Sequence, residues 1–140
     1  MINSIDLQKV RQFCDKAGYT SEITESGLLL VFLSADEDFG NSVGVFFEVT
    51  DNKWLEVFGL GGINVNQSNL AEALKRINMY NQNNMAMKAF IDSEGSVVVN
   101  RYELIDEYVS EEFVLENIVK FCTSCIWNFF KDNFADFVEK

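Results

Sequence analysis

Hydrophobic residues recur at helical spacing near the start of the chain. This stripe consists of Leu7, Val10, Phe13, Cys14 and Ala17. A period of three to four residues predicts a helix with one buried face. Asn3 or Ser4 is available to cap its start, and Gly18 suits the left-handed position just past its end.

Four strand-like runs follow, at 20–25, 28–34, 42–49 and 54–60. Short polar or glycine-containing segments separate them, as turns do, and the run at 20–25 is the weakest of the four. The third run alternates apolar with other residues, which predicts a strand with one buried face. The second run contains "LLLVFL", which is apolar on both faces, so we expect a central strand covered on both sides.

A second apolar stripe at helical spacing predicts a helix over about 68–82. Asn69 and Glu72 have the spacing of a capping pair at its start. Two strand-like runs, "MAMKAFI" and "SVVVNRY", then predict a hairpin closed by residues 92–95, in which Gly95 is free to take a positive φ.

The last predicted element is one long helix over about 110–137, with Ser110 as its N-cap. Besides the stripe that faces the core, it carries a second apolar set: Ile126, Trp127, Phe130, Phe134, Phe137 and Val138. Either this set forms an exposed patch for association, or the helix is buried nearly all round. For the first alternative, the predicted partner or dimer contacts are Trp127, Phe130, Phe134 and Phe137.

The predicted order is therefore α-β-β-β-β-α-β-β-α. Adjacent strands joined by short turns favour an antiparallel sheet with helices packed on it, which is an α+β fold. A chain of 140 residues can bury roughly 68% of its unfolded surface, which is enough for one core. No linker-like stretch interrupts the pattern, so we expect one domain spanning residues 1–140.

The chain is strongly acidic, with 22 Asp and Glu against 11 Lys and Arg and a net charge of −11. Such a chain repels phosphate backbones and anionic membranes, so we expect neither nucleic acid nor a membrane as its partner. The first ten residues, "MINSIDLQKV", lack the features of a signal peptide. Together with an odd number of cysteines, three, these features favour the cytoplasm.

The region from about 75 to 125 resembles the YbjN family, whose members look like bacterial type III secretion chaperones in fold. The resemblance is carried by "INMYNQNNMAMKAFIDSEGSVVVNRYELI" and the following "VSEEFVLENIVKFC". The matching pieces are an Asn-x-x-Asn helix end at Asn78 and Asn81, a Lys-Ala strand, an acidic-Gly turn, a second strand and a helix that opens with Ser. Chaperones of this fold usually show three strands between the first two helices, whereas four are predicted here.

This resemblance implies a small acidic cytosolic protein, often dimeric, that binds polypeptide rather than turning over a substrate. We therefore expect a homodimer that holds a polypeptide partner through hydrophobic contact, without a cofactor. The YbjN relatives are themselves described only as candidate regulators. Two alternatives stay open. One is a small-ligand sensor with a pocket lined by Trp54, Phe58 and the glycine loop, and the other is a small enzyme with converging carboxylates.

The segment "NMYNQNN", residues 78–84, is read as either a polar binding site or a helix end. Asn81 continues the apolar stripe of the second helix. Its amide can therefore bond the free carbonyls of the last turn or hold the following strand. Asn83 and Asn84 tolerate left-handed geometry where the chain reverses. We interpret the cluster as a structural helix end, with Asn78 and Asn81 as its residues.

The sequence offers little for catalysis because it contains no histidine. This removes Ser-His-Asp and Cys-His nucleophiles and the usual general base near neutral pH, and we predict no catalytic residue. "CTSC", Cys122 to Cys125, falls in mid-helix on the apolar stripe. We interpret these cysteines as core residues rather than a redox pair or zinc ligands.

Two loops could bind ligands by composition alone. "GLGG", Gly59 to Gly62, lacks the spacing and the lysine of phosphate-binding loops, and it predicts a flexible connection between strand and helix. "ADEDFGNS" holds Asp36 and Asp38 but fails the pattern of a calcium loop. We interpret it as a solvated hairpin loop, with weak cation binding as the alternative, and predict no metal site.

Overall fold

The structure is a computed structural model and describes residues 2, 4–106 and 108–139. In chain order its elements are helix α1 (Leu7–Lys16), strands β1 (Ser21–Ile23), β2 (Leu29–Leu33), β3 (Val43–Thr50) and β4 (Trp54–Asn64), helix α2 (Leu70–Asn83), strands β5 (Lys88–Ile91) and β6 (Ser96–Leu104), helix α3 (Glu111–Phe113), a π-helical segment (Val114–Lys120), helix α4 (Phe121–Phe134) and a 3₁₀ turn (Ala135–Phe137). The predicted α+β class and element order are confirmed. The predicted last helix is a continuous run over 111–137 whose winding changes three times, from α to π, back to α and then to 3₁₀.

The strands form a single sheet in the order β1-β2-β3-β4-β6-β5, and every neighbouring pair is antiparallel. Short turns join β1 to β2, β3 to β4 and β5 to β6, and such connections return the chain antiparallel. The pair β4 and β6 forms across the intervening α2 and β5. Between β3 and β4, Asp51 and Asn52 take positive φ. Between β5 and β6 the prediction for Gly95 is confirmed, since it also takes a positive φ. All four strands predicted before α2 are present, although the first of them, β1, has only three residues.

The core lies between one face of the sheet and the helices α1 and α4. Alternate strand residues point into it, and the fully buried ones include Leu29, Val43, Val45, Phe47, Leu55, Val97 and Val99. The expectation that β2 is covered on both sides is wrong. Its residues Leu29 and Val31 are buried, but Phe32 is 63% exposed because no helix of the described chain lies over that side.

The glycines of "GLGG" lie within β4 rather than in a connection, so that prediction is also wrong. Gly59 and Gly61 are buried under α4. A Cβ atom at Gly59 would overlap Ile126, and one at Gly61 would lie 2.7 Å from Phe130 Cδ1. The missing side chains therefore let α4 approach the sheet closely. Gly62, at φ 69°, marks the point where β4 loses its regular register with β6.

Helix α1 begins at a different cap from the one that the sequence predicted. The Asp6 carboxylate accepts the backbone N–H of Lys9 at 2.8 Å, so Ser4 is not the cap. The alternative, Asn3, lies outside the described residues. Gly18 follows the helix at φ 84°, in the left-handed region, as predicted.

The predicted capping pair of α2 is not formed. Asn69 occupies the cap position, but its side-chain oxygen accepts the N–H of Asn66 outside the helix. Glu72 turns along the helix to pair with Arg76. At the last helical run Ser110 caps as predicted, accepting the N–H of Phe113 at 3.0 Å.

Candidate functional site

The second face of the sheet is not covered by any helix of the described chain, and we call it the open face. Cross-strand register assigns its residues. They are Glu22, Leu30, Phe32, Gly44, Phe46, Glu48, Thr50, Trp54, Glu56, Phe58, Leu60, Lys88, Phe90, Val98, Asn100, Tyr102 and Leu104. Most of them are hydrophobic, although they alternate with the core residues on the same strands.

Two rows of paired residues form the centre of the open face. One row consists of Phe32, Gly44, Leu60, Val98 and Phe90, and the next of Leu30, Phe46, Phe58, Asn100 and Lys88. The rings of Phe46 and Phe58 stack with centroids 5.0 Å apart and planes 10° apart. Gly44 makes room for this pair, since a Cβ atom there would lie 2.8 Å from Phe46 Cε2.

Large side chains on the open face remain accessible. Phe32 and Tyr102 are each more than 60% exposed, and Trp54, Phe90 and Leu104 are about two-fifths exposed. Single exposed hydrophobic residues are common on protein surfaces, but contiguous apolar patches mark interaction sites. The concentration of these residues on one sheet face therefore makes it the candidate site.

A shallow depression of about 290 Å³ crosses this face. It is lined by Glu48, Glu56, Phe58, Leu60, Phe90, Asp92 and Val98. Its floor is apolar, Glu48 and Glu56 make one end acidic, and Asp92 adds a further carboxylate to its lining. The site can therefore take an apolar group and a neighbouring cation at the same time.

Glu48 and Glu56 lie directly opposite each other on β3 and β4. The Asn100 amide donates to Glu56 Oε2 at 3.0 Å. Tyr102 lies across from Glu56 on the other side, and partial burial, reinforced by the Glu56 carboxylate, raises the pKa of the Tyr102 phenol. The acidic end thus contains two carboxylates side by side, with the Asn100 amide and the Tyr102 ring next to Glu56.

The structure divides the four predicted contact residues of the last helix. Phe130 and Phe134 are fully buried within the chain, so their prediction as surface contacts is wrong. Phe130 packs over Gly61, and its ring lies 5.9 Å from that of Phe39. The ring of Phe134 packs between those of Phe129 and Phe137, at 5.6 and 5.0 Å. Trp127 and Phe137 are half-buried, and partner contact at these two residues stays a prediction.

The asparagine cluster makes hydrogen bonds at the end of α2. The Asn81 side chain donates to the Ala89 carbonyl at 3.0 Å and accepts the Ala89 N–H at 2.8 Å. The Asn83 and Asn84 amides donate to the carbonyls of Met79 and Tyr80, so Tyr80, at the start of the last turn, gains a partner. Neither takes the left-handed geometry that was predicted for them. Asn78 is exposed.

Cys122 is buried and Cys125 half-buried on α4. Burial raises the pKa of the Cys122 thiol to about 11, although the nearby Arg101 guanidinium favours the thiolate. Burial also raises the pKa of Cys125. The helical run begins eleven residues before Cys122, so no free helix N-terminus activates these thiols.

The predicted sensor pocket does not form, because its residues point to opposite sides of the sheet. Trp54 and Phe58 lie on the open face, whereas Gly59 and Gly61 face α4. In the acidic loop the Asp36 carboxylate accepts the N–H groups of its own turn. Within the ranges that the structure describes, no three potential metal-ligating side chains come together.

A different cavity, of about 430 Å³, lies between the end of β2 and α4. Its lining consists of Tyr19, Phe32, Leu33, Ser34, Asp36, Thr123, Ser124, Trp127 and Asn128. The Thr123 hydroxyl is buried, and it has no hydrogen-bond partner among the described residues. Buried hydroxyls are normally paired.

Sequence reasoning missed the open face although the signal was present. In β3 and β4 the positions between the buried residues include Phe46, Trp54 and Phe58, which are as hydrophobic as the core. A strand with two apolar faces indicates that both faces will be covered, but not which molecule covers the second. Here the described residues cover only one of the two faces.

No family model matches the sequence, and no curated protein matches it. No helix among the described residues has the length and apolar character needed to cross a membrane. The structure is similar to the crystal structure of YbjN, described as a candidate transcription regulator from E. coli, with a TM-score of 0.65 and 15% identity. The match covers 94% of this chain and 90% of that chain, and at this identity it shows the fold alone. The protein therefore has a YbjN-like α+β fold.

Proposed function

We propose that this protein is a non-catalytic binding module that holds a polypeptide partner on the open face of its sheet. The observation that carries the proposal is the contrast between the two faces of one sheet, both apolar and only one covered. A sheet buries an apolar face against a second layer. A partner polypeptide would supply that layer, in a chaperone-like or regulatory role.

The edges of the sheet favour binding on the face over addition of a strand. The outer edge of β5 is occupied by the Asn81 amide, which bonds both backbone groups of Ala89. The opposite edge strand, β1, has only three residues. Short or covered edges are how proteins prevent strand addition.

The YbjN crystal structure is described as that of a candidate transcription regulator. Regulation through a protein partner agrees with this description better than direct DNA binding does. A chain with a net charge of −11 gains nothing from the counterion release that drives DNA association.

We also propose the homodimer that the resemblance implies, with its contact on the helical side. Two copies meeting through their open faces would bring Glu48 and Glu56 of each copy close to those of the other, and like charges oppose such contact. Trp127 and Phe137 are the half-buried candidates on the helical side. If Trp127→Gln and Phe137→Gln leave the mass from light scattering unchanged, this contact is wrong.

Site-specific photo-crosslinking in lysate of the source cells tests the main proposal. A photoreactive residue at Phe32 or Tyr102 should capture a defined polypeptide, because both side chains are exposed on the open face. The matched controls are Leu74 and Met79, which are exposed on α2. Capture from the α2 positions alone, or from no position, would contradict the proposal.

A second candidate function is the sensing of a small ligand in the 430 Å³ cavity, favoured by the unpaired hydroxyl of Thr123. A thermal-shift screen of metabolites should give a saturable hit if this holds. Thr123→Val keeps the shape and removes the hydroxyl. It should weaken the hit while leaving the free protein at least as stable, because an unpaired buried hydroxyl costs about 1–3 kcal/mol.

A further inference from the structure

We infer that the polypeptide held by the open face is a cationic amphipathic helix. Its Lys or Arg side chains meet Glu48 and Glu56, and its apolar stripe lies on the stacked phenylalanines and the depression beside them. This inference rests on the proposed function, because it assigns the chemistry of the partner.

The pairing of Glu48 with Glu56 is unfavourable for the chain alone. Like charges at directly opposite positions of an antiparallel pair destabilise a sheet. In the described part of the chain neither carboxylate forms an ion pair. The Asn100 amide satisfies one oxygen of Glu56 without neutralising it. A cation from another molecule would relieve this repulsion.

Aromatic side chains surround the acidic pair. Along β4 the neighbours of Glu56 on the open face are Trp54 and Phe58, and across the sheet its neighbour is Tyr102. An ammonium or guanidinium group gains both from carboxylates and from the faces of aromatic rings. These carboxylates and aromatic rings therefore suit a Lys or Arg side chain better than a neutral polar one.

The other charged residues named on the open face, Glu22 and Lys88, leave it acidic. Glu22 adds a third carboxylate at the β1 end. The ammonium of Lys88 is directed to the end of α2, where it donates to the carbonyls of Asn81 and Asn84 at 3.2 and 3.0 Å. An acidic peptide or a second copy of this chain would meet like charge, whereas a basic partner would meet opposite charge.

The spacing along the strands agrees with a helix. Alternate residues of a strand are about 6.8 Å apart, so Glu56 lies one step from Phe58 and two steps, about 14 Å, from Leu60. In a helix, residues i and i+4 are about 6 Å apart and i and i+8 about 12 Å. A helix aligned with β4 can place two apolar residues and a basic one at these three positions.

Three synthetic amphipathic peptides with the same leucine stripe, and with Lys, Gln or Glu on the polar face, test the inference by fluorescence anisotropy. The Lys peptide should bind about tenfold more tightly than the Gln peptide, with the Glu peptide weakest. Added salt should reduce the Lys advantage. The double variant Glu48→Gln and Glu56→Gln should remove it, and the control Glu37→Gln and Glu112→Gln, exposed at other places, should not.

The other outcomes separate this inference from the proposed function. Equal binding of all three peptides, lost on Phe58→Ser, would overturn the cationic partner but support polypeptide binding on the face. The Lys peptide could also fail to bind while crosslinking from Phe32 still captures a polypeptide. That result would likewise overturn the cationic partner and support polypeptide binding on the face. Failure of both experiments would overturn the proposed function as well.

Discussion

The two faces of the sheet are built from the same strands, yet they end in different environments. On β4 the residues Leu55 and Val57 are buried, whereas Trp54 and Phe58, which alternate with them, remain accessible. Hydrophobicity does not separate the two sets. What differs is that helices pack against one face of the sheet and not against the other among the described residues.

Glycine has a different role on each face. On the covered face Gly59 and Gly61 leave room for Ile126 and Phe130 of α4. On the open face Gly44 leaves room for the ring of Phe46, from its own strand. Glycine thus makes room for a helix on one face and for a ring of its own strand on the other, and substitutions on the two sides should have different effects.

The largest difference is expected between Phe130 and Phe32. Phe130→Ala should lower the free energy of unfolding by about 3–5 kcal/mol, because it empties a fully buried site. Phe32→Ala should change it by less than about 0.5 kcal/mol, since the side chain is mostly exposed. Urea unfolding measures both. Similar losses for the two variants would mean that the open face is covered in solution.

The glycines give the next largest effect. Gly59→Ala should cost about 1–3 kcal/mol, because the new methyl group overlaps Ile126 and α4 must shift. Gly44→Ala should cost less than about 1 kcal/mol, since the Phe46 ring can turn outward from the open face. Thermal unfolding at equal concentration compares them. If Gly44→Ala were the worse of the two, the assignment of the faces would be wrong.

The role of Asn81 at the edge of β5 can be tested by comparing its substitution with that of Asn78. Asn81→Ala should cost about 1–3 kcal/mol and speed hydrogen exchange at the Ala89 amide, because that amide loses its partner. Asn78→Ala, in the same exposed cluster, should leave both quantities nearly unchanged. Unchanged exchange at Ala89 in the Asn81 variant would show that the edge is protected by another group.

The covered face should also make the fold sensitive to high pH. Burial raises the pKa of Cys14 from 9.0 to about 12 and that of Cys122 from 9.0 to about 11. The folded state therefore keeps these protons after the unfolded state has lost them, and stability falls as pH rises above 9. For each thiol the loss from pH 8 to pH 10 is about 1 kcal/mol. Urea unfolding at pH 8 and pH 10 measures this loss, and it should be smaller in the Cys14→Ala variant. An equal loss in the variant would mean that the Cys14 thiol does not cause the pH dependence.

The smallest effect is expected at the acidic pair of the open face. Glu56→Gln should raise the free energy of unfolding by about 0.2–1 kcal/mol, because it removes a like-charge contact with Glu48. Glu112→Gln, the same change at an exposed helical position, provides the control. A destabilised Glu56 variant would mean that the hydrogen bond from Asn100 outweighs the repulsion.

Much of the local structure was predictable because its causes are local. The alternation in β3, the positive φ of Gly18 and Gly95 and the cap at Ser110 depend on residues a few positions apart. The wrong local predictions have local competitors. Asp6 caps α1 in place of the predicted residues, and the side chain of Asn69 is engaged by Asn66.

The candidate site was less predictable, because burial depends on residues distant in sequence. Trp127, Phe130, Phe134 and Phe137 formed one apolar set in the sequence. Only the packing of α4 on the sheet, with Phe130 over Gly61, separates buried Phe130 and Phe134 from the half-buried pair. The open face was likewise visible as hydrophobic positions but not as an exposed surface.

By itself the sequence determined the element order, the antiparallel sheet, the acidic charge and the absence of histidine. These follow from periodicity, turn chemistry and composition, each of which acts at short range or is summed over the chain. Only the tertiary structure decided which apolar face is covered, and that Glu48 and Glu56 lie opposite each other on the open one. Both outcomes depend on the position of one helix and on the register between strands, which the whole packed chain sets together.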